Sequence, residues 1–250
     1  MKKVKKYGII ERDHRKNYAN MNEFPIDIDS RLKEKLLRKV QESSWQKYSI
    51  HLESKTIQSL KGLFNIKNLG VIPTQGADGA LDILCKAILT PESRVLIPYH
   101  TYGQFINFVE TMGATILYHG IEKGNLSYKA FVEKNKDSIN QLEKYGSIDV
   151  VYLPNPHSPL GFIYEEKTIL ELIKKHKQIK FIIDETYIDF NGKSLINHIH
   201  KLKNLIIVRS FSKSYPLAGI RLGAVLYNKE NHPLFEPFYS FNIILYIKAR

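Results

Sequence analysis

Cysteine is almost absent from this sequence, with Cys85 alone among 250 residues. A lone cysteine excludes an internal disulfide and is typical of a reducing compartment. Long apolar runs are missing too, since none approaches the ~18 residues that a membrane-spanning helix needs. The basic start of the chain, residues 1–6, is not followed by the hydrophobic stretch of a secretory signal. We therefore expect a cytoplasmic protein with no membrane partner.

Glycine (14) and proline (10) are too few for a linker protein, and apolar residues make up 43% of the chain. Charged residues make up 25%, so the composition predicts one large packed domain. The net charge is +12, but it comes from 29 lysines and only 8 arginines scattered along the chain. Nucleic-acid surfaces more often cluster basic residues and favour arginine. We expect anionic small molecules rather than nucleic acid as ligands.

From about residue 70, short apolar runs alternate with helical patterns. Nearly continuous apolar runs are expected of strands that are covered on both faces. Helical spacing is clear in residues 77–88, in 165–175 and, near the start of the chain, in 29–40. This alternation predicts an α/β three-layer sandwich with a mostly parallel central sheet. The predicted strands are 95–97, 115–118, 148–153, 181–184, 205–209 and 224–227.

Glycines precede the helical pattern in Thr74-Gln75-Gly76-Ala77-Asp78-Gly79. Free backbone N–H groups at a helix start, together with the helix dipole, can cradle a phosphate. The alternative is a plain turn with Asp78 as the helix cap. The segment is neither a Rossmann fingerprint nor a Walker loop, so a nucleotide is not favoured.

A buried strand ends at Asp184 and Glu185. A carboxylate there could pair with a cationic ring nitrogen, could hold Mg²⁺, or could cap the next turn. A second strand leads into residues 209–221, which contain Ser210, Ser212, Lys213 and Arg221. Serine and arginine are good phosphate donors, and a lysine among cations and apolar groups can lose its proton and become a nucleophile. The pattern therefore indicates an anion site beside a reactive amine.

A proline-rich turn follows the strand at 148–153, with Asn155, His157 and Ser158 as its polar residues. Its prolines fix the backbone, so these side chains could face a ligand. We expect His157 to be solvated rather than catalytic, because no partner for it is evident.

Together these segments resemble the pyridoxal-phosphate (PLP) aminotransferases of fold type I, class I/II, and most of all the histidinol-phosphate aminotransferases. The strongest motif is Ser210-Phe211-Ser212-Lys213 leading to Gly219-Ile220-Arg221-Leu222-Gly223. The resemblance runs from about residue 20 to 227. It implies a PLP-binding large domain at 41–228, an N-terminal segment at 1–40, and the start of a C-terminal region at 229–250. The family's C-terminal small domain would be absent.

The resemblance also implies roles for individual residues. Lys213 would carry the cofactor aldehyde as an imine and move the substrate α-proton, while Asp184 would pair with the pyridinium nitrogen. Tyr187 and Ser158 would hydrogen-bond the phenolic oxygen, although the family has asparagine at the serine position. The ring would stack on Tyr102. The phosphate would be bound by Gly76, Ala77, Asp78, Ser210, Ser212, Arg221 and, from the second subunit of a homodimer, Tyr48.

The implied reaction transfers an amino group between an amino acid, histidinol phosphate among the candidates, and a 2-keto acid. Threonine-phosphate decarboxylases share these motifs and are an alternative within the same enzyme class. A catalytically inactive PLP-binding remnant is the alternative outside it, because the family's carboxylate-gripping arginine belongs to the small domain. The sequence indicates no metal site.

Overall fold

The fold is built on one mixed sheet with helices on both faces. The computed structural model of the chain describes residues 21–46, 50–122 and 124–238. Within them the sheet has seven strands in the order β1-β7-β6-β5-β4-β2-β3. The strands are β1 (Leu69–Gln75), β2 (Arg94–Pro98), β3 (Thr115–His119), β4 (Val150–Pro154), β5 (Lys180–Asp184), β6 (Leu205–Ser210) and β7 (Leu222–Asn228).

Five neighbouring strands, β6-β5-β4-β2-β3, run parallel, and β7 runs antiparallel to both β6 and β1. The predicted α/β fold with a mostly parallel central sheet is therefore confirmed. The described α-helices are α1 (Ser30–Gln41), α2 (Ile50–Leu63), α3 (Gly76–Ile88), α4 (Gly103–Thr111), α5 (Tyr128–Asp137), α6 (Glu166–Lys175), α7 (Ile188–Asn191) and α8 (His232–Phe235). Short 3₁₀ helices span Ser138–Tyr145, Ile196–His198, Ala218–Ile220, Lys229–Asn231 and Glu236–Phe238.

Alternate side chains of each central strand enter two separate apolar cores. On β5, Phe181 and Ile183 enter the core shared with α6, whereas Ile182 enters the core shared with α3 and α4. Strands buried on both faces need apolar residues at nearly every position, which is why their sequence runs are continuous. The two cores place helices on both faces of the sheet, giving three layers.

Helix α3 begins one residue earlier than the sequence pattern predicts, at Gly76, and its N-cap position is Gln75. The alternative that Asp78 caps this helix is wrong, because Asp78 lies within the first turn. In contrast, Asp29 does cap α1, where its carboxylate accepts hydrogen bonds from the backbone N–H groups of Arg31 and Leu32.

The sheet topology gathers the predicted site at one edge. Strands β1, β2, β4, β5 and β6 all end at this edge, and the antiparallel β7 begins there. Ligands of open α/β sheets bind at the carboxyl ends of the parallel strands. In the described part of the chain, no helix is long and apolar enough to cross a membrane. The proposed boundaries at 40/41 and 228/229 stay predictions.

Candidate functional site

An open cavity of about 730 Å³, counted to its mouth, lies at the carboxyl edge of the sheet. A concave site with a few convergent polar and titratable side chains is where small-molecule ligands usually bind. Ten residues that the sequence singled out line it: Ala77, Asp78, Tyr102, Ser158, Asp184, Tyr187, Ser210, Ser212, Lys213 and Arg221. Tyr48 lies outside the described residues. Met21 also lines the cavity and lies in residues 20–25, which resemble the N-terminal segment that borders the substrate in the aminotransferases. The remaining lining residues, Tyr152, Pro154 and Thr186, were not assigned to the site from the sequence.

One wall of the cavity has the features of an anion cradle. Gly76 has a φ of +67°, and a Cβ on it would lie 3.0 Å from Nη2 of Arg221, so a side chain here would press on the guanidinium. Ser212 is buried, and its hydroxyl has no hydrogen-bond partner among the described residues. A buried hydroxyl without a partner is costly unless a ligand satisfies it. The cradle therefore offers donors to an acceptor from outside the chain.

The Asp78 side chain links two other site residues. Its Oδ1 accepts a hydrogen bond of 2.7 Å from the Tyr102 hydroxyl, and its Oδ2 accepts one of 2.8 Å from Nη2 of Arg221. Sequence reasoning considered only the backbone of Asp78, or a capping role for its side chain. In the structure the carboxylate instead holds the phenol and the guanidinium at the cavity wall.

Asp184 is a buried carboxylate at the end of β5. Oδ1 accepts hydrogen bonds from the backbone N–H and the hydroxyl of Thr186 at 3.0 and 2.6 Å. Oδ2 accepts one from the Tyr152 hydroxyl at 2.8 Å. Burial raises the pKa of Asp184, while these donors oppose the rise. The group is thus a buried acceptor that faces the cavity and is suited to a cationic donor.

Lys213 reaches the cavity from the loop after β6. Its Nζ donates a hydrogen bond of 2.6 Å to the backbone carbonyl of Met21, in the segment that precedes α1. Burial lowers the pKa of Lys213, and the nearby Arg221 lowers it further, whereas the Glu23 and Asp78 carboxylates oppose this. A lowered pKa raises the share of the nucleophilic neutral amine near neutral pH.

The N-terminal segment also touches Tyr187, whose hydroxyl accepts a 3.0 Å hydrogen bond from Nδ2 of Asn22. Met21 and Asn22 therefore border the site. Asn155 lies outside the cavity lining, and its Oδ1 accepts a hydrogen bond from the backbone N–H of Tyr164 at 3.0 Å. Of the polar residues in the proline-rich turn, Ser158 is the one that lines the cavity.

His157 corrects an expectation, because it is buried rather than solvated. Its ring stacks on Phe162 at a centroid distance of 4.3 Å, and burial lowers its pKa to about 4. This partner, five residues away, could not be predicted from the residue pattern, because the turn is what brings the two rings together. A neutral, stacked imidazole serves the packing of the turn.

A buried ion-pair network behind the site was also missed. Arg209 bonds Oε2 of Glu185 at 3.2 Å and Oδ1 of Asp189 at 2.7 Å. Asp189 in turn accepts a hydrogen bond of 2.8 Å from the hydroxyl of Ser214, next to Lys213. Glu185 thus points away from Asp184 into this network, and the two acids do not share a metal site. Among the described residues, no group of three or more His, Cys, Asp or Glu side chains is arranged to hold a metal ion.

The fold and the site define a class: an α/β protein that places a buried carboxylate, an amine and an anion cradle around one small-molecule cavity. Comparison with known proteins names the family. The profile described as "Aminotransferase class I and II" matches residues 19–247. The chain belongs to this family, whose members depend on PLP.

Three known proteins show how far the similarity extends. The chain is 26% identical to a histidinol-phosphate aminotransferase of Pyrococcus furiosus over 225 residues, which cover 90% of this chain and 62% of that protein. The structure of histidinol-phosphate aminotransferase from Sinorhizobium meliloti in complex with pyridoxal-5'-phosphate matches with a TM-score of 0.67 at 19% identity, covering 87% of this chain and 57% of that one. L-threonine-O-3-phosphate decarboxylase from Porphyromonas gingivalis matches with a TM-score of 0.67 at 20% identity, covering 86% and 65%. The chain therefore spans less than two thirds of each of these proteins, and the two structural matches bear on the fold.

Proposed function

We propose that this chain binds PLP and transfers an amino group between an amino acid and a 2-keto acid, with histidinol phosphate as a candidate amino donor. One observation carries the proposal. Lys213, Asp184 and the cradle of Ser210, Ser212 and Arg221 line the same cavity. PLP presents an aldehyde, a ring nitrogen and a phosphate, so it needs an amine, a carboxylate and an anion cradle at one site.

The donor set fits the phosphate end of this cofactor. The Ser212 hydroxyl lacks a partner in the described part of the chain, and a phosphate oxygen would supply one. Gly76 leaves room beside the Arg221 guanidinium that a side chain would fill. Ser210, Ser212, Arg221 and the backbone at the start of α3 would hold the phosphate.

The other end of the cavity fits the ring. Asp184 would accept a hydrogen bond from the ring nitrogen, while Tyr187 and Ser158 would bond its phenolic oxygen and Tyr102 would pack on its face. When bound, PLP supplies the electron sink that stabilises negative charge at the substrate α-carbon. The buried carboxylate favours the protonated ring nitrogen, because a nearby negative charge stabilises a cation.

Lys213 would perform the acid–base work. Its Nζ would hold the cofactor at the aldehyde carbon, with release of water, and as a free amine it would take a proton from the substrate α-carbon and return it. Attachment and proton removal both require the neutral amine, which the lowered pKa of Lys213 favours. The hydrogen bond from Lys213 to the carbonyl of Met21, which lines the cavity, supports a position for Met21 beside the substrate.

Assembly and substrate are further parts of the proposal. By similarity to the family, the protein would act as a homodimer in which Tyr48 contacts the phosphate across the interface. Its substrates would be small-molecule amino acids and keto acids, in the cytoplasm, as part of amino-acid biosynthesis.

Cofactor binding is tested by titrating the purified protein with PLP and recording absorbance spectra. We expect a yellow, saturable complex, and we expect Lys213→Ala to lose the shifted absorbance band. Lys180→Ala is the matched control, because burial lowers the pKa of Lys180 as well, yet this lysine lies outside the cavity. A wild-type protein that remains colourless would contradict the proposal, as would a Lys180→Ala variant that loses the band along with Lys213→Ala.

Transamination is tested on the loaded protein. Histidinol phosphate and 2-oxoglutarate are added together, and mass spectrometry should detect the glutamate that forms. Threonine phosphate is tested for carbon dioxide release in parallel, because a structural neighbour is named as a decarboxylase of that compound. Release of carbon dioxide without glutamate would favour decarboxylation, and no spectral change with any amino acid would favour the inactive alternative.

A further inference from the structure

Tyr152 joins the site through a contact that the strand register explains. Tyr152 pairs with Ile182, and Pro154 pairs with Asp184, on the parallel strands β4 and β5. Because side chains two residues apart point to the same face, Tyr152 and Asp184 share a face of the sheet. The Tyr152 hydroxyl donates a 2.8 Å hydrogen bond to Oδ2 of Asp184.

The Tyr152 ring has little freedom to move away. It is completely buried and stacks on Phe105 of α4, with ring centroids 3.9 Å apart and planes inclined by 25°. Burial is the main reason that the pKa of Tyr152 lies well above its ordinary value, and the Asp184 charge adds to the effect. The phenol therefore keeps its proton and acts as a fixed donor to the carboxylate.

The groups around Asp184 are divided between its two oxygens. Thr186 supplies both donors to Oδ1, and Tyr152 supplies the donor to Oδ2. Asp78, on α3, is a second carboxylate whose charge disfavours ionisation of Asp184. Tyr102 raises the pKa of Tyr152 further, and the cations that line the same cavity are Lys213 and Arg221. The hydrogen bond from Tyr152 to Oδ2 therefore opposes the rise that burial causes in the pKa of Asp184.

We propose that Tyr152 is a positioning residue that keeps the buried Asp184 carboxylate ionised and aimed at the cavity. Its effect on a cofactor ring nitrogen rests on the proposed function, whereas its effect on Asp184 in the unloaded protein does not. A fixed donor on one lone pair of Oδ2 leaves the other lone pair for a ligand cation. A protonated carboxylic acid would lose the charge that favours such a cation.

A merely structural role is the competing explanation, because a buried phenol needs some hydrogen-bond partner. The two roles predict different effects of Tyr152→Phe on the pKa of Asp184: a positioning role predicts a rise, and a merely structural role predicts no change. Tyr164→Phe is the matched control, since Tyr164 is also buried and its hydroxyl has no partner in the residues that the structure describes. Both variants remove one buried hydroxyl, and only Tyr152→Phe removes it from the carboxylate.

The first measurement is carboxyl-carbon NMR of protein labelled at aspartate, without PLP, with the Asp184 signal assigned by its loss in Asp184→Asn. We expect Tyr152→Phe to raise the Asp184 pKa by about one pH unit, because a hydrogen bond to a charged group is lost. Tyr164→Phe should leave it within about 0.3 of a unit of wild type, well below that shift. An unchanged Asp184 pKa in Tyr152→Phe would overturn the proposal.

If Tyr152→Phe does not fold, fluorotyrosine placed at position 152 keeps the ring and its packing. Its more acidic phenol is a stronger donor, so the Asp184 pKa should fall, and an unchanged value would again overturn the proposal. At a pH below the Asp184 pKa, where the ionised fraction of Asp184 limits binding, Tyr152→Phe should weaken PLP binding about ten-fold, while Tyr164→Phe should not. Failure of wild type to bind PLP would contradict the proposed function and leave the NMR result standing, whereas a shifted Asp184 pKa with unchanged PLP affinity at that pH would refute the aiming of the carboxylate.

Discussion

The ion pairs of Arg209 with Glu185 and Asp189 allow a quantitative test of what stabilises the loop that carries Lys213. The side chain of Glu185 is 1% exposed, and that of Arg209, which neutralises it, is 9% exposed. Arg209→Met keeps most of the aliphatic side chain but leaves the Glu185 carboxylate buried without its cation. Breaking a buried ion pair in this way usually costs about 3–5 kcal/mol.

The structure limits that cost more closely. Glu185 would still accept hydrogen bonds from the Ser194 hydroxyl at 2.6 Å and the Leu195 N–H at 2.8 Å. An unpaired carboxylate can also escape its penalty by binding a proton. From an ordinary pKa of 4.5, protonation costs about 3.4 kcal/mol at pH 7 and about 0.8 kcal/mol at pH 5. We expect Arg209→Met to lose about 3 kcal/mol at pH 7 and about 1 kcal/mol at pH 5.

The sign follows from proton linkage. Burial already raises the pKa of Glu185, and loss of Arg209 removes a group that opposes this rise. The folded variant therefore binds a proton that the unfolded chain does not, so its stability relative to wild type falls as pH rises from 5 to 7. Urea unfolding followed by circular dichroism at both pH values measures the difference.

The matched control is Arg209→Met combined with Glu185→Gln. Glutamine carries no charge to bury, so the double variant should regain most of the stability at pH 7 and lose the pH dependence. An equal loss at both pH values, or a double variant as unstable as Arg209→Met, would refute the reasoning.

Two further predictions concern the cradle. Ser212→Ala should change the free energy of unfolding by less than about 0.5 kcal/mol, because the hydroxyl has no partner in the described protein, yet it should weaken PLP binding about ten-fold as measured by fluorescence titration; a large loss of stability would show that the hydroxyl is already satisfied. Gly223→Ala should destabilise by about 2 kcal/mol or more in urea unfolding, since its Cβ would lie 2.6 Å from the backbone of Gly76 where β7 approaches α3; near-wild-type stability would contradict this packing.

Apolar continuity made most of the sheet predictable. Strands β2 and β4 to β7 appear in the sequence as runs of Val, Ile and Leu because both of their faces are covered. Strand β1, Leu69–Gln75, was not predicted, because Gly70, Pro73 and two polar residues interrupt its pattern. Among the described strands β1 pairs only with β7 and so lies at an edge of the sheet, where proline is tolerated.

The position of a site residue was predictable where that residue follows the end of a strand. Contacts between site residues that are distant in sequence were not predictable. Lys213 and Asp184 each stand at the end of an apolar run, so their position in the cavity followed from topology. The Tyr152–Asp184 contact joins residues 32 positions apart through strand register, which periodicity does not reveal. The Arg209–Glu185 pair depends on the register of β5 with β6 and was missed for the same reason.

The most direct test of the account is where the cofactor becomes attached. PLP-loaded protein is reduced with borohydride and digested, and its peptides are weighed. The account predicts the added cofactor mass on the peptide that contains Lys213, and on that peptide alone. Attachment at another lysine, or on no peptide at all, would contradict it.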